Sequence, residues 1–119
     1  MTEPVYFVEL NSPNHSASAE FFRAVFGWDP QPFAAPEYLV APHGEASGVD
    51  SAILPSRDGQ PRSVPVIRVA DLDAALTAVE ANGGAVVVPA FGLGQMGKAC
   101  YITDPAGVLV GLHFYYPPQ

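Results

Sequence analysis

Hydrophobic and polar positions follow one order twice along this chain, and the second half shows it more clearly. Residues 63–69 are rich in β-branched side chains, which predicts a strand. Asp71 is a suitable helix N-cap, apolar residues recur after it at helical spacing, and residues 82–84 (Asn-Gly-Gly) favour a left-handed helix end. Three further strands are predicted for the apolar runs at 85–88, 98–103 and 108–114. The second half is therefore predicted to have the order βαβββ.

The first half follows the same order less regularly. Residues 5–10 form an apolar strand that Glu9 interrupts, and Asn14 is a suitable cap for a helix that ends at Gly27. The inner stripe of this helix is predicted to consist of Ala19, Phe22 and Phe26. Further strands are predicted at 31–34, 38–41 and 51–54.

Two unequal copies in one short chain are better explained as paired halves of one closed domain than as an open repeat array. Each half alone would leave one face of its sheet bare. We therefore predict an α+β fold with two βαβββ modules in a single domain, residues 1–119. Module 1 is predicted at about 4–56 and module 2 at about 63–116, joined by a Pro- and Gly-containing linker at about 55–62.

Length and composition agree with one compact domain, because 119 residues of which 49% are hydrophobic suffice for one core. No apolar stretch approaches the roughly 20 residues of a membrane-spanning helix, and the N-terminus lacks the layout of a signal peptide. The chain has one cysteine, Cys100, which suits a reducing compartment. A cytoplasmic location is the resulting expectation.

The net charge of the chain indicates which classes of partner it can bind. Five Lys and Arg residues face twelve Asp and Glu residues, which gives a formal net charge of −7. Nucleic acid and anionic membranes are bound largely through Lys and Arg, so neither is an expected partner. A neutral or cationic small molecule suits this charge better.

Several motifs, taken in order, resemble the vicinal oxygen chelate superfamily, which includes glyoxalase I, extradiol dioxygenases and bleomycin-resistance proteins. The motifs are Phe21-Phe22, Phe26-Gly27-Trp28, residues 69–74 (Val-Ala-Asp-Leu-Asp-Ala), residues 82–84 and residues 103–107 (Thr-Asp-Pro-Ala-Gly). Within the superfamily the chain is most similar to small glyoxalase-like or bleomycin-resistance-like members. The resemblance implies a cupped mixed sheet around a cavity, helices outside it and a homodimer.

The resemblance also implies where a metal would bind. Metal-dependent members place His or Glu ligands on the first strand of each module and on the last strand. The corresponding positions here are Val64, Gly111 and a position near Phe7, with Glu9 two residues further along. A catalytic divalent ion normally has about three protein ligands. We therefore expect no cofactor and no metal at the usual site, and keep a displaced set of Glu9, His43 and His113 as an alternative.

Alternation along the strands predicts that three polar side chains share the inward face with those positions: Glu9, Arg68 and His113. In the functional interpretation, Glu9 and His113 bind or protonate a ligand and Arg68 holds a carboxylate or phosphate. In the structural alternative, Glu9 and Arg68 form a buried ion pair and His113 is half exposed beside Tyr115.

The remaining candidates carry less specific chemistry. Trp28 and Tyr38 either stack on a planar ligand or close the core, and Phe7 and Tyr101 complete the predicted ligand contacts. Cys100 has no neighbouring group that would activate it as a nucleophile. Residues 92–97 (Gly-Leu-Gly-Gln-Met-Gly) match the dinucleotide fingerprint, but a strand is predicted to follow where the fingerprint needs a helix.

Two functions from different classes remain. The first is a metal-free protein that binds a small aromatic or cationic molecule and sequesters a secondary metabolite or antibiotic. The second is a glyoxalase-like lyase or isomerase, or a dioxygenase-like enzyme, with a displaced or absent metal site and Glu9 as the general base. The missing aligned ligands favour binding.

Overall fold

All predicted helices and strands are present in the computed structural model, which describes residues 2–44 and 48–117. The chain forms two compact units. The first unit is Tyr6–Val64, and the second comprises the chain from Pro65 onwards together with the N-terminal residues as far as Val5. Neither helix among the described residues is long and apolar enough to cross a membrane.

The first unit has the predicted order βαβββ. Its elements are β1 Val5–Ser12, α1 His15–Phe26, β2 Gln31–Phe33, β3 Ala35–Ala41 and β4 Asp50–Pro55. The strands lie side by side in the order β2-β3-β4-β1. Strand β4 pairs antiparallel with β3 and parallel with β1.

Helix α1 begins and ends where its capping residues predict. The Asn14 side chain accepts a hydrogen bond from the backbone N–H of Ala17 at 3.1 Å. Gly27 ends the helix at φ 73°, in the left-handed region that glycine enters without strain. Ala19 is buried as predicted, but Phe26 is 61% exposed, so its place in the inner stripe was wrong. As the last helical residue, Phe26 stacks on Phe22 at the surface instead.

The second unit repeats the order. Its elements are β5 Arg62–Arg68, of which the residues from Pro65 onwards belong to this unit, α2 Leu72–Ala81, β6 Ala85–Gly92, β7 Gly97–Thr103 and β8 Leu109–Tyr115. The strands lie in the order β5-β8-β7-β6, with β5 and β8 parallel and the other pairs antiparallel. Strands β6 and β7 are joined by a hairpin at Gly92–Gly97, so no helix follows the glycines and the dinucleotide motif is a chance match.

Helix α2 covers one face of this unit's strands. Its buried end is Leu72, which packs in a core with Val69, Cys100, Ile102 and Leu112. The Asp71 carboxylate caps the helix by accepting from the backbone N–H of Ala74 at 3.0 Å. Because neighbouring residues of a strand point to opposite faces, this core determines which side chains point away from α2.

Candidate functional site

A buried carboxylate lies on β1 of the first unit. Phe7 and Glu9 are both buried and, being two residues apart, share one face of the strand. Glu9 pairs in register with Ala52 of β4, which pairs in turn with Val40 of β3. Tyr38, two residues before Val40, therefore lies on the same face as Glu9. Its hydroxyl donates a hydrogen bond of 2.5 Å to Oε2 of Glu9.

This hydrogen bond provides the buried Glu9 carboxylate with a donor from another strand. Glu9 is only 2% exposed, and a buried charged group is costly unless hydrogen bonds replace its contact with water. A phenolic O–H on a carboxylate is a strong donor, and bonds to charged groups stabilise by about 1.5–3 kcal/mol. Among the described residues, no buried side-chain nitrogen or oxygen lacks a hydrogen-bond partner.

In the second unit, the strand register places the remaining candidates on the face that points away from α2. Val66 pairs with Gly111, and Gly111 pairs with Tyr101. One step of the alternation further, Arg68 pairs with His113. The strand register therefore places Arg68 and His113 on the same face as Val66 and Gly111, as the alternation in the sequence predicts.

His113 and Arg68 both contact Tyr115. Nδ1 of His113 lies 3.0 Å from the Tyr115 hydroxyl, and the guanidinium carbon of Arg68 lies 5.1 Å from the centre of the Tyr115 ring. His113 is buried, so the expectation of a half-exposed imidazole was wrong. Arg68 is exposed, because it is the last residue of β5, and the expectation of a buried guanidinium was also wrong. The arrangement holds a solvent-facing cation against an aromatic ring.

Gly111 makes room for an aromatic side chain. A β-carbon built on Gly111 would lie 3.2 Å from Cε1 of Tyr101 and 3.3 Å from Cγ2 of Val66, tighter than ordinary van der Waals contact. The half-buried Tyr101 ring stacks on Phe91, with 6.2 Å between centroids and 24° between planes. Tyr101 thus fills the space beside Gly111 where the resemblance implies a metal-binding carboxylate.

The remaining candidate residues are Trp28, His43 and Cys100. Trp28 is half-buried and stacks on Phe22 with 4.7 Å between centroids. His43 is exposed, and its Nε2 lies 3.7 Å from Oδ1 of Asp50. Cys100 is fully buried, and burial raises the pKa of its thiol to about 11.

The implied metal site can be tested against these residues. Val64 is a buried apolar side chain at 2% exposure, and Gly111 has no side chain and is covered by Tyr101. Neither position offers the oxygen, nitrogen or sulfur donor that a divalent ion needs. Residues 2–44 and 48–117 contain no group of three or more His, Cys, Asp or Glu that could hold a metal ion. The residues at the implied positions therefore do not fit the metal site.

Comparison with known proteins identifies the family. The sequence profile of the Glyoxalase/Bleomycin resistance protein/Dioxygenase superfamily matches residues 5–112. The chain belongs to this superfamily. Membership confirms the resemblance seen in the motifs and the predicted α+β fold of paired βαβββ modules.

A curated relative of this superfamily member is CFP32, a mycobacterial protein that its name calls a candidate glyoxylase. The versions from Mycobacterium tuberculosis and Mycobacterium bovis are each 37% identical over 116 residues, which cover 89% of this chain. The chain spans 43% of the length of these relatives.

Solved structures of other superfamily members share the fold. Methylmalonyl-CoA epimerase from Mycobacterium tuberculosis has a TM-score of 0.66 at 18% identity, covering 94% of this chain and 87% of the epimerase. The Mn(II)-bound glyoxalase from Novosphingobium aromaticivorans has a TM-score of 0.62 at 20% identity, covering 95% of this chain and 38% of that protein. At these identities the likeness shows the fold alone.

Sequence reasoning missed two hydrogen bonds of the site. The bond from Tyr38 to Glu9 joins residues 29 positions apart, and the alignment of β3 across β4 to β1 cannot be read from local patterns. The contact of His113 with Tyr115 had a usable signal, because residues two apart on a strand lie on the same face.

Proposed function

We propose that this superfamily member binds a small organic molecule without a metal cofactor. The observation that carries the proposal is the identity of the residues where metal ligands are implied. Val64 is buried and apolar, and Tyr101 lies over Gly111 in place of a carboxylate. An apolar and aromatic surface with a few oriented polar groups is typical of sites for organic ligands.

The polar and aromatic groups of each unit favour a particular ligand chemistry. In the first unit, the buried carboxylate of Glu9 favours a cationic or N–H-donating group, because a carboxylate accepts hydrogen bonds and attracts positive charge. In the second unit, the stacked pair of Phe91 and Tyr101 favours a planar group. Taken separately, the two units thus favour ligands that carry a positive charge and ligands that carry a planar ring, both of which occur among secondary metabolites and antibiotics. Sequestration by a cytoplasmic homodimer is part of this proposal.

A second candidate is a metal-independent lyase or isomerase with Glu9 as general base. A buried carboxylate held in one orientation favours this candidate, because proton transfer requires a base with fixed geometry. The name of the relative CFP32 is compatible with such chemistry. The reaction class would be removal of a proton next to a carbonyl group.

Binding can be measured with thioflavin T, a planar cation, and with 8-anilinonaphthalene-1-sulfonate, a planar anion, after treatment of the protein with EDTA. We expect metal-free protein to bind the cation at least about tenfold more tightly than the anion, because loss of a charge-assisted contact is worth a factor of that size. Glu9→Gln should remove the preference. Glu37→Gln, at an exposed position of β3, is the matched control and should leave the preference unchanged.

The enzyme candidate needs a separate assay. Metal-free protein is mixed with the hemithioacetal of methylglyoxal and glutathione, or with methylmalonyl-CoA in deuterated water, and the same assays are repeated with Mn(II), Ni(II) and Zn(II). Turnover without metal that is lost in Glu9→Gln would support the second candidate. Turnover that requires a stoichiometric metal would overturn the metal-free proposal.

A further inference from the structure

We propose that Tyr38 is a positioning residue that acts through its hydroxyl to fix the orientation of the Glu9 carboxylate. The inference rests on the proposed function in one respect, namely that Glu9 contacts the ligand. It replaces the expectation that the ring of Tyr38 stacks on the ligand. The geometry that carries it is the 2.5 Å hydrogen bond between the Tyr38 hydroxyl and Oε2 of Glu9.

The two residues reach each other because of the strand register. Glu9, Ala52 and Val40 lie side by side across β1, β4 and β3. Tyr38 lies two residues before Val40 on β3, so its side chain points to the same face of the sheet as Glu9. Along the strand direction, Tyr38 is displaced from Glu9 by two residues. A tyrosine is long enough to cross this diagonal and place its hydroxyl on the carboxylate. A phenylalanine at this position would cover the same apolar area without reaching the oxygen.

The contact limits the freedom of the carboxylate. A glutamate has three rotatable side-chain bonds, and its carboxylate can turn about the last of them. A donor that bonds one oxygen selects one orientation, so the ligand does not have to order the group when it binds. Ordering a flexible side chain on binding costs about 0.5–1.5 kcal/mol. Tyr38 therefore raises affinity without contacting the ligand itself.

A purely structural role makes a different prediction. If the hydroxyl only satisfied a buried charge, its removal would lower stability and leave the affinity of the folded protein unchanged. If it orients Glu9, its removal lowers affinity as well, and only while Glu9 is present. A double-mutant cycle separates these two cases.

The cycle uses Tyr38→Phe, Glu9→Gln and the combination of both, with thioflavin T as the probe and full-length protein shown to be folded by circular dichroism. We expect Tyr38→Phe to weaken binding about threefold to tenfold in the wild-type background, the loss expected when a carboxylate must be ordered by the ligand. In the Glu9→Gln background the same change should alter binding less than about twofold. Tyr116→Phe, at an exposed position, is the matched control.

A second measurement needs no ligand. Glutamate labelled with ¹³C at the side-chain carboxyl gives one NMR signal per residue, and the Glu9 signal is identified by its absence in Glu9→Gln. We expect this signal to move in Tyr38→Phe and to stay in place in Tyr116→Phe, because a hydrogen bond changes the shielding of the carboxyl carbon.

The outcomes of the two experiments are distinguishable. A Glu9 signal that does not move in Tyr38→Phe overturns the positioning role, whatever the binding result. Equal losses of affinity from Tyr38→Phe with and without Glu9 also overturn it, since the ring would then contact the probe directly. A wild-type protein that binds neither thioflavin T nor the anionic dye contradicts the proposed function, and the NMR signal alone then decides the role of Tyr38.

Discussion

Gly111, at a position where the resemblance to metal-dependent superfamily members implies a ligand, is closely packed against the Tyr101 ring. A β-carbon at position 111 would lie 3.2 Å from the Tyr101 ring and 3.3 Å from Val66, so these side chains would have to shift by a few tenths of an ångström. Because the Tyr101 ring also stacks on Phe91, a shift of the ring would disturb that stack as well. Residue 111 is therefore constrained by packing rather than by backbone conformation.

The change Gly111→Ala tests this constraint. We expect a loss of about 1–3 kcal/mol in the free energy of unfolding, the usual cost of adding a methyl group to a closely packed position. The measurement is urea unfolding followed by circular dichroism. Gly92→Ala is the matched control in the same unit, because a β-carbon at Gly92 would have no neighbour within 4 Å. The combination with Tyr101→Ala should cost less than the sum of the two changes, and strict additivity would contradict the contact.

Cys100 permits a test of burial through its chemistry. Burial raises the pKa of its thiol from 9.0 to about 11, so the thiolate population at pH 8 is about a hundredfold lower than in the unfolded chain. We expect the folded protein to react slowly with Ellman's reagent at pH 8 and the urea-unfolded protein to react fast. The only cysteine of the chain supplies the whole signal. Equal rates in both states would contradict the buried placement.

The same shift fixes the sign of a pH effect on stability. The thiol pKa is raised in the folded state, so the folded protein holds this proton more tightly than the unfolded chain. The resulting stabilisation is present below pH 9 and is lost as the pH rises towards about 11. Unfolding at pH 8 and pH 10.5, compared between wild type and Cys100→Ala, checks this direction.

At the scale of elements, both helices depend on a capping side chain that the sequence already indicated. Asn14 and Asp71 each accept a hydrogen bond from a backbone N–H three residues further on. Replacing either residue by alanine leaves that donor without its partner. We expect Asn14→Ala and Asp71→Ala each to lower the free energy of unfolding by about 0.5–2 kcal/mol.

Conservative variants provide the control for the caps. Asn14→Asp and Asp71→Asn retain an oxygen acceptor at the same position and should keep most of the stability. Urea unfolding measured by circular dichroism at 222 nm follows both helices. A loss in Asn14→Asp as large as that in Asn14→Ala would mean that the capping hydrogen bond does not stabilise the helix.

Element boundaries show where local patterns suffice and where they do not. Helix α2 was predictable because Asp71 and residues 82–84 mark both ends. Strand β6 extends to Gly92, whereas the prediction ended at residue 88. The prediction was too short because Pro89 and two register irregularities interrupt the alternation of the strand. Such breaks are tolerated at the edge of a sheet, where β6 lies, and they hide the strand from pattern reasoning.

The prediction that Phe26 belongs to the buried stripe of α1 was wrong for a related reason. Helical spacing places Phe26 one turn after Phe22 on the same side of the helix, and Gly27 ends the helix directly after it. Phe26 stacks on Phe22 and stays exposed at 61%. Periodicity predicts which residues share a helix face, and it does not predict whether the last turn of that face is covered.

At the scale of the whole molecule, the order of elements was predictable because it repeats. Both units have the order βαβββ, and each shows it independently of the other. The site was less predictable, because its decisive contacts join strands that are distant in the sequence. The bond from Tyr38 to Glu9 depends on two strand pairings, and no local pattern encodes either.

Tyr101 over Gly111 also has an evolutionary consequence. A descendant of this chain that bound a metal at the implied positions would need a donor at position 64 and another at position 111. The second change is opposed by the Tyr101 ring until that ring is itself replaced, so the order of substitutions matters. The tyrosine therefore acts as an epistatic barrier to substitutions that add a side chain at position 111.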